Sequence, residues 1–462
     1  MIWGQEEDDL DTEIVTVVKP YTPTISDAFK VKETPVLDDS VTTQKKEVNY
    51  SIFSVPVAST FTPAKGKAET VEKAKKIKLY DNYATLGFGN YTTILGELFS
   101  NFEISRTDQA GFFFRHNSAQ GDIDGIVLEN KFYNTSLDGY YNSRQRDLSY
   151  RVDAGVSHQL YNWYGLPDEM VPFTAETIAG IDPQQTYLGA QLGGNIAVED
   201  SFFEQLSAKI QYVSDAFSSS EFRITAQPEF QFPLSEFELK VKGEVDYLTG
   251  SFERNYANTS ELPYGLLIAG VAPAWVYANE DLTVALGAAA VVGVDTERSQ
   301  SDFFIYPRIQ ASYRLVDEVL VAYAGADGGL RQNSFYQFKE ENPFVSPTLF
   351  IAPTNELVDG YVGLKGKLSN AVGYNVRGGY RSQENRALFR LNPYKGSSTA
   401  FEGYENGNSF GVVYDDINTF SLFGELQVQV SDDFSLGINA EYQQYNTTNQ
   451  AEAWNLPELQ AT

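Results

Sequence analysis

The chain has 462 residues, a formal net charge of −28, no cysteine and two histidines. An acid surplus of that size repels phosphate backbones and excludes a nucleic-acid partner. The absence of cysteine removes disulfides, thiolate metal sites and thiol nucleophiles.

The first residues, MIWGQEEDD, pass abruptly from a short apolar scrap to acid. Residues 1–4 read as the tail of a secretory signal peptide, which leaves Gln5 as the mature N-terminus. Residues 5–80 are rich in Pro, Thr, Val and Lys and show no sustained period, apart from a short helix in ETVEKAKKI. This composition predicts an extended periplasmic segment that gains order only against something else, as a partner-binding arm or a partial plug. Its front, EEDDLDTE, is acidic, whereas residues 64–78 carry six lysines.

From about residue 81 onward a period of two recurs to the end of the chain. In FELKVKGEVDYL, Phe237, Leu239, Val241, Val245 and Tyr247 fall on one parity, and Glu238, Lys240, Lys242, Glu244 and Asp246 on the other. EFRITAQPEFQF, PRIQASYRL and DFSLGINAEY repeat the pattern. Such alternation marks strands whose two faces meet different surroundings. A soluble sandwich and a membrane barrel both satisfy it.

The connections separate these two readings. Short polar turns fall near RTDQ (106–109), RQRD (144–147), VEDS (198–201), LSE (234–236), NED (279–281), VDE (316–318), LSN (368–370) and SDD (431–433). Between them come longer aromatic, Asn- or Pro-rich connections such as GLRQNSFYQFKEENPFVSPTLFIAPTNE. Short turns at one end and long loops at the other are the signature of an up-and-down outer-membrane β-barrel, with periplasmic turns and extracellular loops. The longest apolar run, VALGAAAVVGV (284–294), is too short for a spanning helix and suits a spanning strand. Tyr and Phe, 29 and 31 in number, would supply the aromatic girdles of such a barrel.

Counting strands from ATLGFGNY (84–91) to one beginning near Leu456 gives about 18, within a range of roughly 16–22. The stretches 328–356 and 383–416 have room for short strands of their own. The last strand lacks the closing aromatic residue common in such barrels and reads as cut off midway.

Polar parity should face the lumen, because a cation facing lipid at mid-depth costs roughly 2–4 kcal/mol. The candidate lumen charges are Arg223, Glu238, Lys240, Lys242, Glu244, Asp246, Arg308, Arg314, Lys365, Lys367, Arg377 and Arg381. Arg151 and Lys209 add to the cations, and Asp153, Glu229, Glu425 and Glu441 to the fewer acids. Two explanations compete. The charges pair across strands and brace the wall, or the acidic front at Glu6–Glu13 enters the lumen and neutralises a basic wall.

GFGNYTTILGELFSN (87–101), together with EIVTVVKPYTPTISDAFKVKETP, resembles the TonB-dependent-receptor-like outer-membrane barrels of Gram-negative bacteria. The resemblance implies a barrel of about 22 strands around a plug, with a TonB-contacting box near the N-terminus. Thr12, Glu13, Ile14, Val15, Thr16, Val17 and Val18 are similar to that box. Only about 75 residues precede the barrel, too few for the family's usual plug.

No nucleophile elbow, metal-ligand spacing or phosphate loop occurs. His116 and His158 read as strand-end residues near an interface, and neither a catalytic function nor a cofactor or metal is expected. Two functions stay open: a solute channel or reduced receptor, or a structural subunit of a larger outer-membrane assembly, biogenesis or secretion complex. The expected partners are outer-membrane lipid and lipopolysaccharide. Periplasmic or outer-membrane proteins are expected as well, through residues 5–80 and the extracellular loops.

Overall fold

The structure, a computed structural model, describes residues 80–462 apart from 122, 168–172, 318, 397–398, 401 and 432–433. The signal remnant, the arm from residue 5 up to residue 79 and the box-like residues Thr12–Val18 lie outside the described residues.

Eighteen strands follow one another in chain order. They are β1 (Asn82–Gly89), β2 (Thr93–Glu103), β3 (Asp108–Gln120), β4 (Lys131–Arg144), β5 (Leu148–Asn162), β6 (Gln184–Val198), β7 (Phe203–Asp215), β8 (Ser220–Leu234) and β9 (Phe237–Phe252). The second half comprises β10 (Leu262–Ala278), β11 (Leu282–Asp295), β12 (Gln300–Val316), β13 (Leu320–Arg331), β14 (Thr354–Ser369), β15 (Val372–Leu391), β16 (Phe410–Ser431), β17 (Phe434–Thr447) and β18 (Leu459–Ala461). Each strand pairs antiparallel with the next, so the ladder runs unbroken from β1 to β18. Among the described residues two α-helices, α1 (Ala175–Ala179) and α2 (Phe335–Glu341), and a short 3-10 helix at Gly403–Glu405 interrupt the series.

Register follows parity. In β9, Leu239, Val241 and Val245 point away from the residues that line the interior, while Asp246, Leu248 and Phe252 are buried on the opposite face. A one-residue slip would reverse every one of these positions, so the apolar parity holds the register. The outward face exposes large apolar side chains along the whole ladder: Val156, Leu192, Trp275, Leu286, Ile309, Val362, Leu422 and Ile438 among them. A continuous apolar exterior of this kind is too large for a water-facing surface and matches hydrocarbon.

At one end of the barrel every connection between β2 and β17 takes two to four residues. These are the eight turns expected from the sequence. The other end differs from expectation. Long loops link β3–β4, β5–β6, β9–β10, β13–β14, β15–β16 and β17–β18, but β1–β2, β7–β8 and β11–β12 are joined by only three or four residues. These three hairpins keep the chain reversal short even at the loop end.

The stretches with room for extra strands are also corrected. In 328–356 the insertion carries α2, and the two ends of 383–416 belong to β15 and β16, which run on to Leu391 and back from Phe410, with no further strand between them among the described residues.

Inside, tyrosines lie across glycines on the neighbouring strand. Tyr140 covers Gly111, Tyr264 covers Gly250, Tyr361 covers Gly325 and Tyr323 covers Gly363; each pair faces directly across the ladder. A Cβ at any of these glycines would strike the phenol ring. Glycine there lets an aromatic ring lie flat against the wall.

Candidate functional site: a segment folded across the barrel interior

The main apolar core is inside the barrel, at the long-loop end. It joins Tyr187 of β6, Val213 of β7, Leu248 and Phe252 of β9, Tyr264 and Leu266 of β10 and Phe389 of β15 to five residues from one connection: Phe335, Phe338, Val345, Leu349 and Ile351. That connection, residues 332–353 between β13 and β14, therefore does not project outward. It crosses the interior and packs on walls well removed along the ladder.

Local chemistry explains why it forms a helix. Ser334 is the N-cap, in extended conformation, and its hydroxyl accepts from the Gln337 amide at 3.1 Å. Pro343, with the extended Asn342 before it, stops the helix after about two turns. Asn333 ties the two ends of the segment together through Ala352 O and Thr354 Oγ1, at 2.7 and 3.0 Å.

The far wall supplies the anchors. Glu221, the second residue of β8 and 3% exposed, accepts from the amides of Phe335 at 2.6 Å and Tyr336 at 3.0 Å, and from the Tyr264 hydroxyl at 2.9 Å. One buried carboxylate thus satisfies amides that the start of α2 leaves free. Lys339, 2% exposed, donates to Gln159 Oε1 at 2.7 Å, pairs with Glu340 and stands 4.6 Å above the Tyr336 ring. Burial lowers the pKa of its ammonium below the usual lysine value, and Glu340 opposes that shift. Tyr187 donates to Pro343 O and Trp163 to Phe344 O, each at 3.0 Å. Phe344 and Ser346 bond the backbone of Phe410, and Tyr414 bridges Ala352 N and Phe350 O.

Above the segment the outer loops form a roof. Trp163, 1% exposed, packs against Phe217 and Tyr404, and its carbonyl accepts from Asn408 Nδ2 at 2.7 Å. Arg254 and Lys395 converge on Glu405, whose side chain is fully buried. Gly403 lies so close to the carbonyl of Asp182 that no side chain fits between them.

On the short-turn side of the segment lies a polar cavity of about 450 Å³. It brings together four of the candidate lumen charges, Arg223, Glu244, Asp246 and Arg308, with Asp327, Arg331, Gln332, Gln337 and Arg386. Arg223 and Asp246 form a two-pronged pair at 2.9 and 2.5 Å, and Arg308 meets Asp327.

The other candidates are spread along the wall. Lys242 pairs with Glu229 at 2.9 Å and Lys240 with Glu204 at 3.8 Å. Arg381 meets Asp359 at 2.5 Å, Arg377 meets Glu441 at 3.8 Å, and Lys365 stands 5.5 Å above the Tyr323 ring. Glu238 keeps one buried carboxylate oxygen without a hydrogen-bond partner. Arg314 is at the short-turn rim, 3.1 Å from Asp317 and 4.0 Å from Asp281. Lys367 faces Gly373 near the same rim.

The sequence reading missed Glu221, Arg331, Gln332, Lys339, Arg386 and Glu356, whose buried carboxylate meets Arg331. The available signal was 332–353 itself. A surface loop has little reason to carry Phe335, Phe338, Phe344, Leu349, Phe350 and Ile351 within so short a span.

No protein-family model and no curated protein sequence matches the chain. Solved structures do match it in shape. Copper transporter OprC aligns over 82% of this chain and 63% of its own, at 12% identity and a TM-score of 0.55. The FrpB iron transporter from Neisseria meningitidis aligns over 79% and 61%, at 9% identity and 0.58. A mutant of the ferric enterobactin receptor PfeA from Pseudomonas aeruginosa aligns over 82% and 64%, at 11% and 0.56. The chain thus spans less than two thirds of the length of these structures. At such identities the likeness is one of fold: this is an antiparallel transmembrane β-barrel of the architecture used by TonB-dependent outer-membrane receptors and transporters.

Proposed function

We propose that the protein is a non-enzymatic barrel of the Gram-negative outer membrane that passes polar solutes through its lumen, with residues 332–353 as the gate. The observation that carries this reading is the crossing of the interior by that segment. Its polar anchors on β8, β5 and β6 are hydrogen bonds, which a conformational change can exchange for water, and it separates a charged chamber from a roofed mouth. Lipid against the apolar exterior, and lipopolysaccharide at its outer rim, are the surroundings this requires. The similarity to transporters and receptors supports passage or capture of a solute without specifying which.

The test is single-channel recording in planar bilayers. Replacing residues 335–351 by a Gly-Ser linker of equal length should raise conductance several-fold, because the segment and the roof resting on it through Trp163 are released together. Equal conductance of the two proteins would remove the gate from the account.

The tightly packed roof favours one alternative, in which the barrel is a permanently closed structural subunit of a larger outer-membrane complex. Purification from native membranes in mild detergent separates the two. A stoichiometric complex around a non-conducting barrel supports the subunit, and a lone conducting barrel supports transport.

A further inference from the structure

The chamber below the segment contains hydrogen-bonding groups that its own residues do not use. Of its four arginines, Arg223 is held by Asp246, Arg308 by Asp327 and Arg331 by Glu356. Arg386 lines the same cavity, makes no ion pair among the described residues, and has its Nε–H buried with no acceptor. Gln332, 6% exposed, donates through its amide nitrogen to Asn333 O at 2.9 Å, while its Oε1 is buried and accepts nothing. A buried guanidinium N–H and a buried amide oxygen left unpaired are each unfavourable, and the two side chains that carry them line one space.

We propose that this chamber is a binding site for a small carboxylate solute that also carries a hydroxyl or amino group. The carboxylate meets Arg386, and the hydroxyl or amino hydrogen is donated to Gln332 Oε1. The sign follows from Arg386: Asp246, Asp327 and Glu356 each offset one of the other three arginines, which leaves Arg386 as the arginine of the lining with no ion pair among the described residues. A cation would be repelled by Arg386, and a neutral solute would leave its guanidinium without a partner at ion-pair distance. The size follows from the volume: about 450 Å³ admits a compact organic acid with a few waters, at roughly 30 Å³ per water, and no oligomer. The site depends on the gated-lumen reading only for how the solute arrives.

The test is calorimetric titration of the full chain in detergent micelles. The probes are L-lactate and L-serine, with acetate lacking the donor and methylammonium lacking the carboxylate. Saturable binding of lactate and serine is expected, with acetate about tenfold weaker and methylammonium silent. Arg386→Gln should lower lactate affinity by about tenfold or more, and Gln332→Leu should reduce lactate to the level of acetate. Retention of the heat-modifiable gel shift checks that each variant is folded; if Arg386→Gln fails to fold, Gln332→Leu alone decides.

Absence of saturable heat with both carboxylates, or an unchanged lactate affinity in the folded variants, would mean that the chamber holds water only. The measurement involves no membrane or current. A failed titration therefore overturns the site and leaves the gate standing, and a failed conductance test does the reverse.

Discussion

Replacing Glu221 by Gln tests how the interior segment is held. The carboxylate offers two oxygens to three donors, with Phe335 N and Tyr264 OH on one and Tyr336 N on the other. Glutamine is nearly the same shape but has one oxygen, and its NH₂ must face a donor. At least one buried N–H then loses its acceptor, costing about 1–3 kcal/mol. Loss of negative charge at the start of α2 adds about 0.3–2 kcal/mol. The seated segment is thus weakened by roughly 3 kcal/mol, on the order of a hundredfold in its opening equilibrium. Hydrogen exchange read by mass spectrometry should show this loss of protection in peptides covering 335–345. Amides in the β11–β12 ladder, which Glu221 does not touch, should exchange as before. A loss below about threefold in the segment, or an equal loss in β11 and β12, would refute Glu221 as the anchor.

Three further outcomes follow from the same geometry. Lys339→Ala should lower the segment's protection by about tenfold, since it empties a packed position, whereas Lys339→Met, which loses the bond to Gln159 equally but refills the position and removes a buried charge, should change it by less than about threefold; the same exchange experiment reads both. Gly403→Ala should leave the barrel folded but open the roof, because the added methyl collides with Asp182 O; limited proteolysis should then cut within 173–183 or 392–409, where the parent protein resists. Leu286→Arg, on the outward face at 52% exposure, should destabilise the protein in lipid vesicles by about 2–4 kcal/mol, whereas inward-facing Ser312→Arg should cost less than about 1 kcal/mol; equilibrium unfolding in denaturant measures the difference, and equal costs would mean that the outward face does not meet hydrocarbon.

Alternation made the wall legible in the sequence. A lipid-facing strand and its lumen face impose opposite demands on successive residues, so Val241 beside Lys242 or Ile224 beside Arg223 already carries the register. The short turns were legible for a similar reason: polar clusters such as NED leave no room for anything but a reversal. The interior segment was not legible in this way. The segment is held by Glu221, Gln159 and Trp163, which are 114 to 181 residues distant along the chain, and its local signal, a cluster of Phe, Leu and Ile, marks it as buried without saying against what. Glu221 looked like one more acid on a polar parity. Its role depends on where two helical amides arrive, and that is a property of the folded barrel. Arg386 was missed because a register shift between Gln383 and Arg386 breaks the alternation there.

The distances along the chain that hide the anchors from the sequence also set an order in time. Residues 332–353 bond to partners from β5 to β16, and Asn455 beyond β17 reaches Glu341 at 3.5 Å. Contacts between residues so far apart form late, because each must wait for the intervening chain to be fixed. The segment can settle only after nearly every hairpin is in the bilayer. On the proposed gating, the wall is therefore assembled before the segment that crosses it is seated, and the barrel passes through an ungated stage on its way to the gated one.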